Sequence, residues 1–189
     1  MGSPTSDRHD YRTITLEAFA DTIVPGEKRS PDDRAVAGAS TGGGAVQAGA
    51  IDLLETPATG LSEALDDYAQ ALNRHAGAYA DEHGLRLDED VPPFVALPFA
   101  DRTALVQALT GKDHQERELW VLLALFANMA FDTAAHLSTA DALAAGHPGL
   151  TTMGFMKPNE DGLWRFPDFS YGKQLADPHP DTTSSGSPA

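Results

Sequence analysis

Seven histidines in a chain without cysteine set the chemistry open to this sequence. Imidazoles and carboxylates can bind a metal or move protons. Thiolate nucleophiles, disulfides, iron–sulfur clusters and Cys-ligated zinc are excluded. His114 and Glu118 are spaced i, i+4, as are Asp132 and His136, so each pair can share one helical face. The pairs stand 18 residues apart on what reads as one helix. That is about 27 Å at helical rise, too far to share an ion. The Glu-x-x-His motif of a di-iron bundle and the His-Glu-x-x-His motif of zinc proteases are both absent. These pairs are therefore expected to be surface polar contacts, and no metal site is expected.

His75 stands apart, because it falls in an apolar helical stripe with Tyr68 and Tyr79. Two roles fit. It could be a core histidine hydrogen-bonded to a tyrosine or a carbonyl. It could also be a general base facing an interhelical pocket, with Tyr68 or Tyr79 as proton donor and Asp132 as a further acid–base group. No Gly-x-Ser-x-Gly elbow is present. The run Asp88-Glu89-Asp90 lacks the glycine and final glutamate of a calcium loop and reads as solvated. The run Gly42-Gly43-Gly44 precedes a helix, but it has no P-loop lysine and no strand before it, so it reads as a connector.

The elements that must hold these residues are helices. Residues 1–12 read as a flexible polar arm. Leu16, Phe19, Ala20, Ile23 and Val24 then line one face of a first helix, with Thr15 able to cap it and Pro25-Gly26 to end it. A loop over 25–43 leads to a second helix, from about Ala45 to Glu55. A third carries Leu61, Leu65, Tyr68, Leu72, His75 and Tyr79 and stops at Gly84. After a Pro-rich loop over 85–98, a fourth runs from about Ala100 to Thr110. A fifth opens at Asp113 with Glu116 as its capping-box partner. Its body, Leu119 to Phe131, is apolar nearly all round, which predicts the centre of the bundle. Ser138 and Asp141 cap a sixth, which stops at Gly146. No run alternates with period two. The fold class expected is all-α: a single helical bundle of about five or six helices with long loops and an extended C-terminal arm. The helical domain should cover 13–172, and the polar 173–189 should be a disordered tail.

The arm is the last feature with weight. Met153, Phe155, Met156, Leu163, Trp164, Phe166, Phe169 and Tyr171 crowd into 19 residues without a helical period. Aromatics and methionine are interface anchors as well as core residues, so such an arm either seals its own bundle or docks onto a partner.

Twenty-eight acidic against 13 basic residues give a formal charge of −15, which argues against nucleic acid or an anionic membrane as partner. It suits a basic protein partner or simple solubility. Residues 1–13 contain no apolar signal core and no twin arginine, and Leu119–Phe131 is too short to span a bilayer. A cytoplasmic location is expected.

Ala20-Asp21-Thr22-Ile23-Val24-Pro25, Gly154-Phe155 and Asp161-Gly162 resemble the gluconate 2-dehydrogenase subunit 3 family. Its members are small accessory subunits of glucose-methanol-choline-type flavoprotein dehydrogenases. The resemblance implies a non-catalytic subunit that binds and stabilises a flavoprotein oxidoreductase. It implies no cofactor in this chain, and FAD in the large subunit. Phe155, Trp164, Phe166, Phe169 and Tyr171 would be the partner-binding residues. The alternative is a stand-alone, cofactor-independent enzyme of secondary metabolism using His75, Tyr68, Tyr79 and Asp132.

Overall fold

A computed structural model describes residues 4–156 together with Glu160, Pro180 and Asp181. Eight α-helices occur among them and no strand, so the protein is all-α. They are α1 (Pro4–Ile23), α2 (Ala50–Glu55), α3 (Leu65–His83), α4 (Pro93–Ala96), α5 (Phe99–Leu109), α6 (Arg117–Thr133), α7 (Thr139–Ala144) and α8 (Pro148–Thr152). Two 3-10 turns, Pro57–Thr59 and Ser62–Ala64, join α2 to α3. The compact helical unit ends at Phe155. The expected boundary at 172/173 and the tail beyond it lie outside the described residues.

The central element is α1. It packs against α2, α3, α4, α5 and α6, and Leu16, Ala18, Phe19 and Ala20 are buried. The Phe19 ring sits 6.4 Å from Phe94 of α4 and 6.3 Å from Trp120 of α6, both tilted. Tilted ring pairs at this spacing add to what area burial alone gives. The segment expected to be a flexible arm is helical from Pro4. Thr15 is therefore not a cap. It lies inside the helix, where its hydroxyl donates to the Tyr11 carbonyl at 2.8 Å and accepts from Asn73 Nδ2 at 3.1 Å. Asn73 Oδ1 in turn accepts from the Phe94 amide at 3.0 Å. One amide thus ties α1, α3 and α4 together.

The buried stripe of α3 is Leu65, Ala69, Leu72, Ala76 and Ala80. Tyr68, His75 and Tyr79 flank it, only partly buried. Large residues drew the expected stripe to one side, whereas the alanines mark where the backbones approach. Helix α2 begins at Ala50, because residues 45–49 form turns rather than helix. Gly49, at φ 83°, breaks the run in the left-handed region just before it. The turn also packs against the end of α1: a Cβ on Gly44 would overlap the Val24 carbonyl and the Pro25–Gly26 backbone. The Ala45 amide donates to Val24 O at 2.9 Å, and Gln47 Oε1 accepts from the Gly44 amide at 2.9 Å. Of the glycine run, Gly44 packs against the end of α1 and Gly43 against Pro148, while Gly42 has open space around it.

Ser138 caps α7 as expected, accepting from the Asp141 amide at 3.1 Å. Gly84 and Gly146 follow α3 and α7 with positive φ. Two short helices were not expected, and both start on proline: α4 at Pro93 and α8 at Pro148. Proline is preorganised for a first helical turn, where its missing amide hydrogen costs nothing.

Candidate functional site

Helix α6 shows how sequence and surface part company. Trp120, Leu123, Ala127 and Ala130 are buried. At 100° per residue, Val121, Leu122 and Leu125 fall on the opposite side. They are 36%, 37% and 50% exposed. Glu118 and Asn128 share that exposed side. The helix expected at the bundle centre therefore lies at its periphery, apolar on its outer face as well as its inner one. The position of Asn128 and Glu118 on one stripe was the signal that this stripe faces outward. Adjacent large apolar residues exposed on one helix face are a mark of an interaction site.

The partner-binding residues of the arm are described only in part. Phe155 is 51% exposed. Its amide donates to Leu150 O at 2.8 Å, and the Gly154 amide to Thr151 O at 3.0 Å. That pair of bonds is a Schellman cap closing α8. The Gly154-Phe155 pair thus has a local structural role. Trp164, Phe166, Phe169 and Tyr171 lie outside the described residues.

The four candidate acid–base residues do not converge. His75 Nε2 lies 2.8 Å from Glu116 Oε2, at the start of α6. Asp132 accepts from Asn128 Nδ2 at 2.7 Å, near its end. Sixteen residues separate Glu116 from Asp132 along the helix, about 24 Å. Tyr79 donates to Asp101 Oδ1 at 3.1 Å and stacks on His83. Tyr68 packs against the core edge. The i, i+4 pairing of Asp132 with His136 also fails, because α6 ends at Thr133 and Ala134 adopts φ 48°. That left-handed residue turns the chain away.

His136 instead lines an open cleft of about 270 Å³ with Gly49, Asp52 and His147. Burial pushes the His136 imidazole down, as does the neighbouring His147, while Asp52 opposes. Its Nδ1 is buried without a protein partner. His147 Nε2 donates to Ala48 O at 3.1 Å. Its Nδ1 accepts from the Leu150 amide at 3.4 Å, which caps α8. Asp52 and His147 are 95 residues apart, and no local spacing announces them.

Below Asp21 of the Ala20–Pro25 motif lies a buried charge network. Asp21 is 1% exposed and accepts from the amides of Gly26 at 3.1 Å and Ala37 at 2.8 Å. Burial raises its pKa against those two bonds and the Arg102 charge. Arg102, 4% exposed, donates to Leu97 O, Ala35 O, Arg34 O and Val95 O at 3.0, 2.7, 3.2 and 2.5 Å. Asp33 accepts from the Ala35 and Val36 amides and from Arg29 Nε at 2.7 Å. Burial pushes Asp33 up, but Arg29 and the Val36 amide outweigh it and hold the carboxyl at about 2. Three buried charges thus fix the loop after α1. Their work is to hold backbone, since every bond they make ends on this chain's own amides, carbonyls or Arg29.

Residues 10–189 match the model of a protein family described as a family of unknown function, DUF5987. The chain belongs to that family. No curated protein and no solved structure matches it. In this DUF5987 chain no helix among the described residues is long and apolar enough to cross a membrane.

Proposed function

We propose that the chain is a non-catalytic accessory subunit that docks onto a flavoprotein oxidoreductase of the glucose-methanol-choline type, in the cytoplasm, with FAD held by the partner. The observation that carries a docking role is the outer face of α6, where Val121, Leu122 and Leu125 stand exposed beside one another. Exposed apolar residues grouped on one helix face mark an interaction surface. The identity of the partner rests on the resemblance of the Ala20–Pro25 and Gly154-Phe155 motifs. The separation of His75 from Asp132 weighs against the alternative of an enzyme with both in one interhelical pocket. The test is co-expression with chromosomal neighbours followed by affinity capture. A yellow complex with stoichiometric flavin is expected. Capture of this chain alone, or of a partner without flavin, would overturn the proposal.

A further inference from the structure

The His75–Glu116 contact does not stand alone. His114, from the link between α5 and α6, brings its ring to 5.5 Å from that of His75, edge-on. One ligand atom from each of His75, His114 and Glu116 lies within 4.8 Å of the others. The Trp120 indole donates to the same Glu116 oxygen at 3.2 Å, and the Glu116 amide donates to His114 Nδ1 at 3.1 Å. The hydrogen bond from His75, with that from Trp120 and the charges of both histidines, holds the Glu116 carboxyl below its usual range against partial desolvation.

We propose that His75, His114 and Glu116 bind one divalent transition-metal ion of the Zn²⁺ class. Two imidazoles and one carboxylate are the donors that suit Zn²⁺, Ni²⁺ or Cu²⁺ and not Mg²⁺ or Ca²⁺. Donors about 2.0–2.2 Å from a tetrahedral ion stand about 3.3 Å from each other. His75 Nε2 and Glu116 Oε2, now 2.8 Å apart, must open by about half an ångström, and the widest pair must close. The side chains of His75 and Glu116 are 32% and 46% exposed, so both have room. Binding through Nε2 moves the His75 proton to Nδ1. The carboxylate keeps its indole donor, the outer-shell partner a metal-bound carboxylate needs. Three protein ligands leave a fourth position for water. The ion would clip α3 to the start of α6. His114 and Glu116 are local, but His75 is 39 residues upstream of His114. That is why arithmetic along one helix excluded the site.

The experiment is Zn²⁺ titration of the whole chain by calorimetry, with Mg²⁺ as contrast. Cu²⁺ quenching of Trp120 is followed in parallel in a Trp164→Phe background. One saturable Zn²⁺ per chain is expected, with no Mg²⁺ heat. Zn²⁺ should raise Tm, because an ion that binds only the folded chain stabilises it. His114→Gln, which disturbs no core packing, should weaken binding by about tenfold or more and abolish the Tm rise. His75→Gln and Glu116→Gln should do the same. His136→Gln should change nothing. No saturable Zn²⁺ binding would overturn the proposal. So would binding that survives His114→Gln unchanged, or that His136→Gln abolishes.

Discussion

At the scale of the residue, Arg102 decides most. It donates to four carbonyls and neutralises a region that holds Asp21 and Asp33. Arg102→Ala should cost about 3–5 kcal/mol, because it leaves buried Asp21 without the positive charge that offsets it and four carbonyls without a donor. Urea unfolding measures this. The two carboxylates respond to acid with opposite sign. The folded pKa of Asp33, about 2, lies below its ordinary 3.8. Its stabilisation is therefore complete above about pH 4 and is lost as pH falls toward 2. The folded pKa of Asp21 lies above 3.8, so protonating it on the way down to pH 4 favours the fold. Stability should thus hold or rise slightly to about pH 4 and then drop, and Asp33→Asn should flatten that drop. Thermal melts from pH 6 to 2 check both limbs. A drop unchanged in Asp33→Asn would reject the assignment. Asp21 was legible as part of a motif, but its role was not. Its partners, Ala37 and Arg102, are fixed by the loop path and not by local spacing.

At the scale of the element, α7 was legible from its Ser138 cap, whereas the capping box read at Asp113 and Glu116 does not form, because α6 starts at Arg117 with no side-chain cap. Helices were displaced where one residue's backbone broke the run, as left-handed Gly49 delays α2. In the turn before it, Gly44→Ala should lose about 1–3 kcal/mol by overpacking against Val24. A Tm unchanged by that substitution would mean the turn relaxes freely. Helix α6 was legible as a helix but not in its orientation. A sequence apolar on both faces cannot say which face meets the core. Only its polar residues vote, and Glu118 and Asn128 vote for the Leu122–Leu125 side as outer. It follows that Leu122→Lys with Leu125→Glu should leave the isolated protein within about 0.5 kcal/mol of the parent, as surface changes do. If this face docks, the double substitution should remove about 2 kcal/mol or more of partner binding, because it places charges in a desolvated contact. Melting together with pull-down reads both numbers. Early melting would mean the face belongs to this chain's own core, and undiminished capture would mean it is not the docking face.

At the scale of the whole molecule, the first helix proved central and the most apolar helix peripheral, the reverse of what hydropathy suggested. Burial follows the number of neighbours, not the apolar content of a segment, and α1 has five neighbouring helices. The charge of −15 should steer a basic partner, so raising salt from 50 to 500 mM should slow association far more than dissociation. Surface plasmon resonance separates the two rates, and a salt-independent on-rate would remove the electrostatic part of the proposal. The remaining proposed docking residues lie in the aromatic segment that follows Phe155 in the sequence. Trp164→Ala with Phe166→Ala should abolish association with the flavoprotein while leaving the far-ultraviolet helical signal and the melting temperature of the isolated chain unchanged. Interface anchors of this size are worth about 2 kcal/mol or more each. The same rings buried in the chain's own core would instead be worth about 3–5 kcal/mol of stability each. Loss of that much from the isolated chain, or capture undiminished by the double substitution, would reject the arm as a docking element. Binding lost at constant stability would make Trp164 and Phe166 anchors of the interface. A double-mutant cycle between that pair and Leu122 with Leu125 would then show whether they engage the partner independently, because distant anchors add and coupled ones do not.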